Sequence, residues 1–170
     1  MTDSLTDKLR SLLASDVYND RGRLRSDDLL IRQRVEHALS FAAGKVRDLS
    51  SRWRADRVPP STREQPFPPA TVMQPLRAGE RLLRDLEEVC SAVRGLPLLN
   101  PDKVWDRVRG VGLHELVQFD WALVCESEAL AAEISEAASL DLLKTPMLDA
   151  RITRLHQVVL DRRRYIEFLA

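Results

Sequence analysis

Apolar residues recur along this chain in alternating steps of three and four, and no stretch alternates with period two. The spacing predicts helices over 3–15, 26–55, 75–94, 102–109, 112–143 and 146–169, so the fold class is all-α. The stripe of the second segment runs Ile31, Val35, Ala38, Ala42, Val46, Leu49 and Trp53. The third reads Leu76, Gly79, Leu83, Leu86, Cys90 and Val93, and the last Leu148, Ile152, Leu155, Val159, Ile166 and Leu169. In the fifth, Leu116, Leu123, Leu130 and Ala137 are flanked by Val117, Val124, Ala131 and Ile134. Each stripe is one face wide, as expected of helices lying around a common core. The pattern predicts a bundle of four long amphipathic helices, with a short N-terminal helix and a short helix at about 102–109. The segment 3–15 is too short to persist alone, so 1–20 is expected to dock its leucines on the bundle or on a second subunit. Leu5, Leu9 and Leu12 would carry that contact.

Punctuation agrees with the periodicity. Ser26 followed by Asp27 and Asp28 offers a capping hydroxyl and first-turn acids suited to the positive end of a helix dipole. Prolines at 75, 101 and 146 stand at plausible first helical positions, where the missing N–H is no loss. Gly44 and Gly79, within helical stretches, read as places of close helix approach. Six of the nine prolines fall between 59 and 75, and the residues preceding them are held extended, so 56–74 is read as an unhelical connection. It is long for a bundle. It could cross the length of the bundle and let its neighbours run parallel, pack back through Phe67, Val72 and Met73, or present "PFPP" as a polyproline II ligand.

The length suits one domain spanning 1–170. Formal net charge is zero, which gives the whole molecule no electrostatic case for nucleic acid. No run is long and apolar enough for a bilayer and the N-terminus lacks a basic leader, so a cytoplasmic location is expected. Charge is nevertheless divided by element. Eight acids face one lysine over 112–149, whereas 20–57 carries ten bases to six acids and 150–170 five to two. Such segregation either sets helix pairing or leaves an acidic face for a basic partner.

Candidate chemistry is sparse. His37, His114 and His156 lie on three predicted helices and could meet around a metal, although no paired-ligand spacing such as His-x-x-x-His supports it. Asp120 and Ser127 interrupt the apolar face of the fifth helix. Buried carboxylates need partners, so an arginine such as Arg34 or Arg81 should meet Asp120, either as a register-fixing core pair or as part of a polar pocket for a small ligand. Arg162, Arg163 and Arg164 are adjacent, spread around the helix, and read as a solvated helix end. The spacing from Arg151 to His156 in "RITRLH" resembles the motif of small all-helical HEPN-type ribonucleases, which implies that these two residues act on RNA phosphate. The same spacing recurs from Arg32 to His37. Strained-turn nucleophiles, phosphate loops and cofactor motifs do not occur in the sequence. The sequence therefore favours a non-enzymatic bundle acting by contact with another protein or by self-association, with Phe67 and the N-terminal leucines as contact residues. A ligand-binding or metal-binding bundle and a ribonuclease are the alternatives.

Overall fold

A computed structural model describes residues 5–13, 24–63, 65–98, 111–143 and 146–169, and they form an all-α fold without a strand among them. The helices are α1 (Leu5–Leu13), α2 (Leu24–Arg57), α3 (Ala70–Arg94), α4 (Val111–Glu136) and α5 (Pro146–Leu169), with a 3-10 turn at Leu140–Leu143. The helix expected at 102–109 lies outside the described residues. Among those described, no helix is long and apolar enough to cross a membrane.

Two boundaries differ from the periodicity, and each has a local cause. Helix α3 starts at Ala70 instead of at Pro75: Pro69, at φ −56° and ψ 142°, is the extended residue that precedes the first turn. Its carbonyl accepts from Val72 and Met73. Pro75 thus sits inside the helix, and its missing N–H would have bonded the carbonyl of exposed Thr71, which water can reach. The fifth predicted segment breaks after Glu136 because Leu140 and Leu143 turn inward and cover the end of α2 and α3.

The packed pairs are α2 with α3, α2 with α4, α4 with α5, and α3 with α5. Ion pairs give the directions. Arg94 meets Glu36 and Arg47 meets Glu87, so α2 and α3 are antiparallel. Arg151 meets Glu133 and Arg162 meets Asp120, so α4 and α5 are antiparallel as well. The parallel arrangement that a crossover would allow is therefore absent: the proline-rich connection is a hairpin between neighbours at one end. Its base is fixed, since the Trp53 indole donates to the Val72 carbonyl at 2.9 Å and Val58 and Met73 pack against the core. A second tie joins Thr62 and Gln65, through Thr62 N to Gln65 O at 3.2 Å and Gln65 N to Thr62 Oγ1 at 3.1 Å. Phe67 does not pack back, and it is 81% exposed.

The core takes in most of the predicted stripe residues and adds Leu39, Ala43, Leu82, Val89, Leu96, Leu140 and Leu143, while Trp53, Leu83 and Cys90 are only half-buried against it. Helix α4 has a third packing neighbour besides α2 and α5. That neighbour is α1, whose Leu9 is fully buried and whose Leu12 and Leu13 are half-buried against the core. Of the two alternatives expected for this helix, docking on its own chain is the one that Leu9, Leu12 and Leu13 display. The glycines also separate. A Cβ on Gly79 would meet Leu140 Cδ1 at 3.0 Å and Ser50 Oγ at 3.1 Å, so this helix approach is close. Nothing lies within 4 Å of a Cβ on Gly44, contrary to the sequence reading.

Candidate functional site

The one extensive cluster of buried charge among the described residues lies at the end of the bundle opposite the proline-rich hairpin. Arg162 of α5 is fully buried and crosses the core. Its Nε donates to Asp120 Oδ1 of α4 at 2.6 Å, and its Nη2 donates to Asp28 Oδ1 of α2 at 2.5 Å. Arg32, one turn along α2, brings Nη2 to 2.7 Å from Asp28 Oδ2. Its stronger directional bonds go elsewhere: Nη1 donates to the Leu96 carbonyl and Nη2 to the Pro97 carbonyl, both at 2.6 Å, just beyond the C-terminus of α3. Two guanidinium groups are thus buried with the carboxylates of Asp28 and Asp120, Asp27 is buried next to Asp28 in the chain, and the carbonyls left over at the end of a helix receive a cation.

This corrects two expectations. The partner of Asp120 is Arg162, not Arg34 or Arg81, and Arg162 is no part of a solvated helix end. Arg34 instead pairs with Glu128 at 2.6 Å. The cluster is not perfectly satisfied, because Asp28 Oδ2 and Arg32 Nε are buried without a hydrogen bond. Buried ion pairs offset heavy desolvation and seldom exceed an apolar core in stability. What the cluster can do is fix which helices meet and in what register, since its bonds tie α2, α4, α5 and the end of α3 together. Asp28, Arg32, Asp120 and Arg162 do not line the grooves between α2 and α3, between α3 and α5, or beside the 3-10 turn.

The other predicted site residues are placed apart. Ser127 is buried and donates to the Val124 carbonyl of its own helix at 3.0 Å, which satisfies it without a ligand. His37 is exposed on α2, and His114, at the start of α4, lies 2.9 Å from Gln118. His156 is half-buried beside Asp85, Asp149 and Thr153 between α3 and α5. Among the described residues no group of three or more His, Cys, Asp or Glu side chains could hold a metal ion. Arg151 faces the opposite way from His156, bonding Glu133 at 3.0 Å and Glu126 at 3.3 Å on α4. Five residues along a helix turn the side-chain direction by about 140°, so Arg151 lies towards α4 and His156 towards α3. Burial pushes the thiols of Cys90 and Cys125 up from their ordinary pKa, which is the reverse of what a nucleophile needs. The acids of α4 are spent on basic neighbours: Glu126 pairs with Arg151 and Arg154, Glu128 with Arg34, and Glu133 with Arg151. Segregated charge here sets helix pairing.

The hairpin end has a different character. It gathers the cations Arg52, Arg54 and Arg57 from the last turns of α2, Arg63 from the connection, and Arg77 and Arg81 from the start of α3. Among the described residues the carboxylates there include Asp56, Glu80 and Asp141, with Asp85 and Asp149 lining a hollow beside Arg81. Arg57 lies 5.5 Å over the Trp53 ring, and Arg54 reaches Glu80 only at 3.9 Å. Arg52, Arg63, Arg77 and Arg81 have no ion pair among the described residues. A groove of about 370 Å³ runs between α3 and the 3-10 turn, with Gln74, Arg77, Arg81 and Asp141 on its walls. The connection carries Phe67 between Pro66 and Pro68, outside the protein's own core.

The buried cluster was partly legible in advance. Position 162 completes the step from Val159 to Ile166, and Asp28 extends the α2 stripe back from Ile31. Charged residues occupying stripe positions on separate helices were the signal that they meet. Comparison of the chain with protein-family models, with characterised proteins and with solved structures finds no match.

Proposed function

We propose that this is a non-catalytic helical protein that works by contact with another protein or with a copy of itself, with Phe67 as the anchor of the contact. The observation that carries this reading is a large aromatic side chain, 81% exposed, on a hairpin whose base is tied down by Trp53 and whose backbone is stiffened by prolines. An aromatic held in advance loses little conformational freedom when it enters a partner's pocket, and such residues dominate binding energy at interfaces. The residues that might carry catalysis are instead engaged with one another or separated.

The test is a comparison of the intact protein with Phe67→Ser, by sedimentation between about 1 and 100 μM, a range set by ordinary contact affinities, and by quantitative co-purification from its own cells. Folding should be unaffected, since Phe67 touches no core. A self-association or a stoichiometric partner that the substitution removes is the expected result. If the same species accompany both proteins, or neither associates with anything, the reading is wrong.

A further inference from the structure

Resting on that contact reading, we infer that the partner is a second copy of this chain, and that in a two-fold dimer each Phe67 enters the groove between α3 and the 3-10 turn of the other copy. Knob and hole belong to the same end of the molecule. The groove begins at Gln74 and Pro75, in the second turn of α3. Phe67 precedes Ala70, the first residue of that helix, by three positions. Three residues of extended chain and one turn of helix keep it within roughly 17 Å of Gln74. A surface that carries both a protruding aromatic and a recess can close on itself about a two-fold axis, because what each copy offers the other receives.

The lining suits an aromatic ring. Pro75, Ala78 and Leu140 supply apolar walls, and the guanidinium groups of Arg77 and Arg81 can lie over the face of a ring. Further apolar surface lies at this end. Leu142, in the 3-10 turn, and Met147, at the start of α5, are each 57% exposed. The charges also favour a copy over other partners. Among the described residues the acids of this end nearly match its arginines in number, and both signs are unspent: Arg77 and Arg81 have no ion pair, and neither have Asp85, Asp141 and Asp149. A strongly acidic or basic partner would satisfy one sign and repel the other. A copy turned through a half-circle can set acids against arginines in both halves at once. The chain bends at Phe67, so the segment is no straight polyproline II rod for a partner with an aromatic groove.

The experiment is sedimentation equilibrium of the purified full chain between about 1 and 100 μM, the span of ordinary contact affinities. It is repeated with Phe67→Ser and with Ala78→Trp, which fills the groove, each checked for unchanged helix content by circular dichroism. A dimer is expected, weakened about a hundredfold by Phe67→Ser because both anchors go at once, and at least about tenfold by Ala78→Trp. Mixing the two variants should give a dimer firmer than either forms alone, since the groove of the first accepts the aromatic of the second. Independently of any folding defect in Ala78→Trp, p-benzoylphenylalanine at position 67, in a mixture of ordinary and nitrogen-15 protein, should crosslink the two copies within 74–81 or 140–141. A monomer throughout, with a cellular partner that Phe67→Ser removes, overturns the inference and leaves the contact reading intact. So does a Phe67-dependent dimer that a folded Ala78→Trp does not weaken, or whose crosslinks fall outside the groove. A dimer indifferent to Phe67→Ser, or no association with anything, overturns both.

Discussion

Replacing Arg162 by methionine removes one guanidinium from the core at nearly constant volume; of the two fully buried carboxylates it bonds, Asp28 keeps its ion pair with Arg32. Arg162 makes two charge-assisted bonds, at 2.5 and 2.6 Å, and bonds of that kind contribute about 1.5–3 kcal/mol each. Asp120 loses the guanidinium that neutralises it. Removing one member of a buried pair destabilises by about 3–5 kcal/mol, chiefly because a charge is left without its counterpart. Against a total stability of about 5–15 kcal/mol this is a large share. With an m-value of about 2 kcal/mol/M, the urea midpoint should fall by about 2 M, followed by far-ultraviolet circular dichroism and tryptophan fluorescence. The Tm should fall by roughly 6–20 °C, at 2–4 °C per kcal/mol for a chain of this size. Arg162→Lys should rescue little, because an ammonium cannot reproduce two bonds held in one plane. Combining Arg162→Met with Asp120→Leu should lose clearly less than the two single losses added, by about 1–3 kcal/mol, since an apolar pair then replaces an ionic one. A loss under about 1 kcal/mol for Arg162→Met, or strict additivity in the double variant, would refute the account of the cluster as a coupled unit.

The two helical glycines should respond oppositely. Gly44→Ala, with open space at its Cβ, should raise stability by about 0.5–1 kcal/mol in urea unfolding, whereas Gly79→Ala should gain nothing because Leu140 and Ser50 must give way. Equal gains at both positions would contradict the close approach of α3 to the 3-10 turn. Tyr165 packs its ring 5.6 Å from that of Phe119, and its hydroxyl is pushed up to about 12, first by burial and then by Glu115. In a Tyr18→Phe variant, which leaves one tyrosine to observe, tyrosinate absorbance at about 295 nm should rise near pH 12 while the protein stays folded. A rise centred near the ordinary value of about 10 would mean that the ring is not shielded. The sign for stability follows. Because the folded pKa is raised, this residue's contribution is complete below pH of about 10 and is lost as pH climbs towards 12.

How much was legible differs between scaffold and surface. Residues such as Ile31, Val35, Leu86, Leu123 and Leu155 are buried where their spacing put them, because a helix with one apolar stripe has only one way to hide it. The start of α3 was misread at Pro75 because proline tolerates the early part of a helix, and the first turn formed from Ala70 onward without an apolar stripe to announce it. The position of Asp120 in the core was visible from its place between Leu116 and Leu123, but its partner was not. Among twenty-two arginines spacing alone cannot single out Arg162.

The sequence by itself determined that this protein is helical, broadly which face of each long helix turns inward, and that the chain leaves helix among the prolines after α2. These are local properties, set by 3.6-residue periodicity and by a missing N–H. Only the tertiary structure decided that α2 and α3 run antiparallel, that α1 covers α4, that Arg162 reaches across to Asp28 and Asp120, and that Phe67 stands outside the core. Those outcomes depend on which faces meet and at what register. A stripe announces that a face will be buried but carries no information about the face that buries it, and it leaves open which charges remain unpaired once every helix has chosen its neighbour.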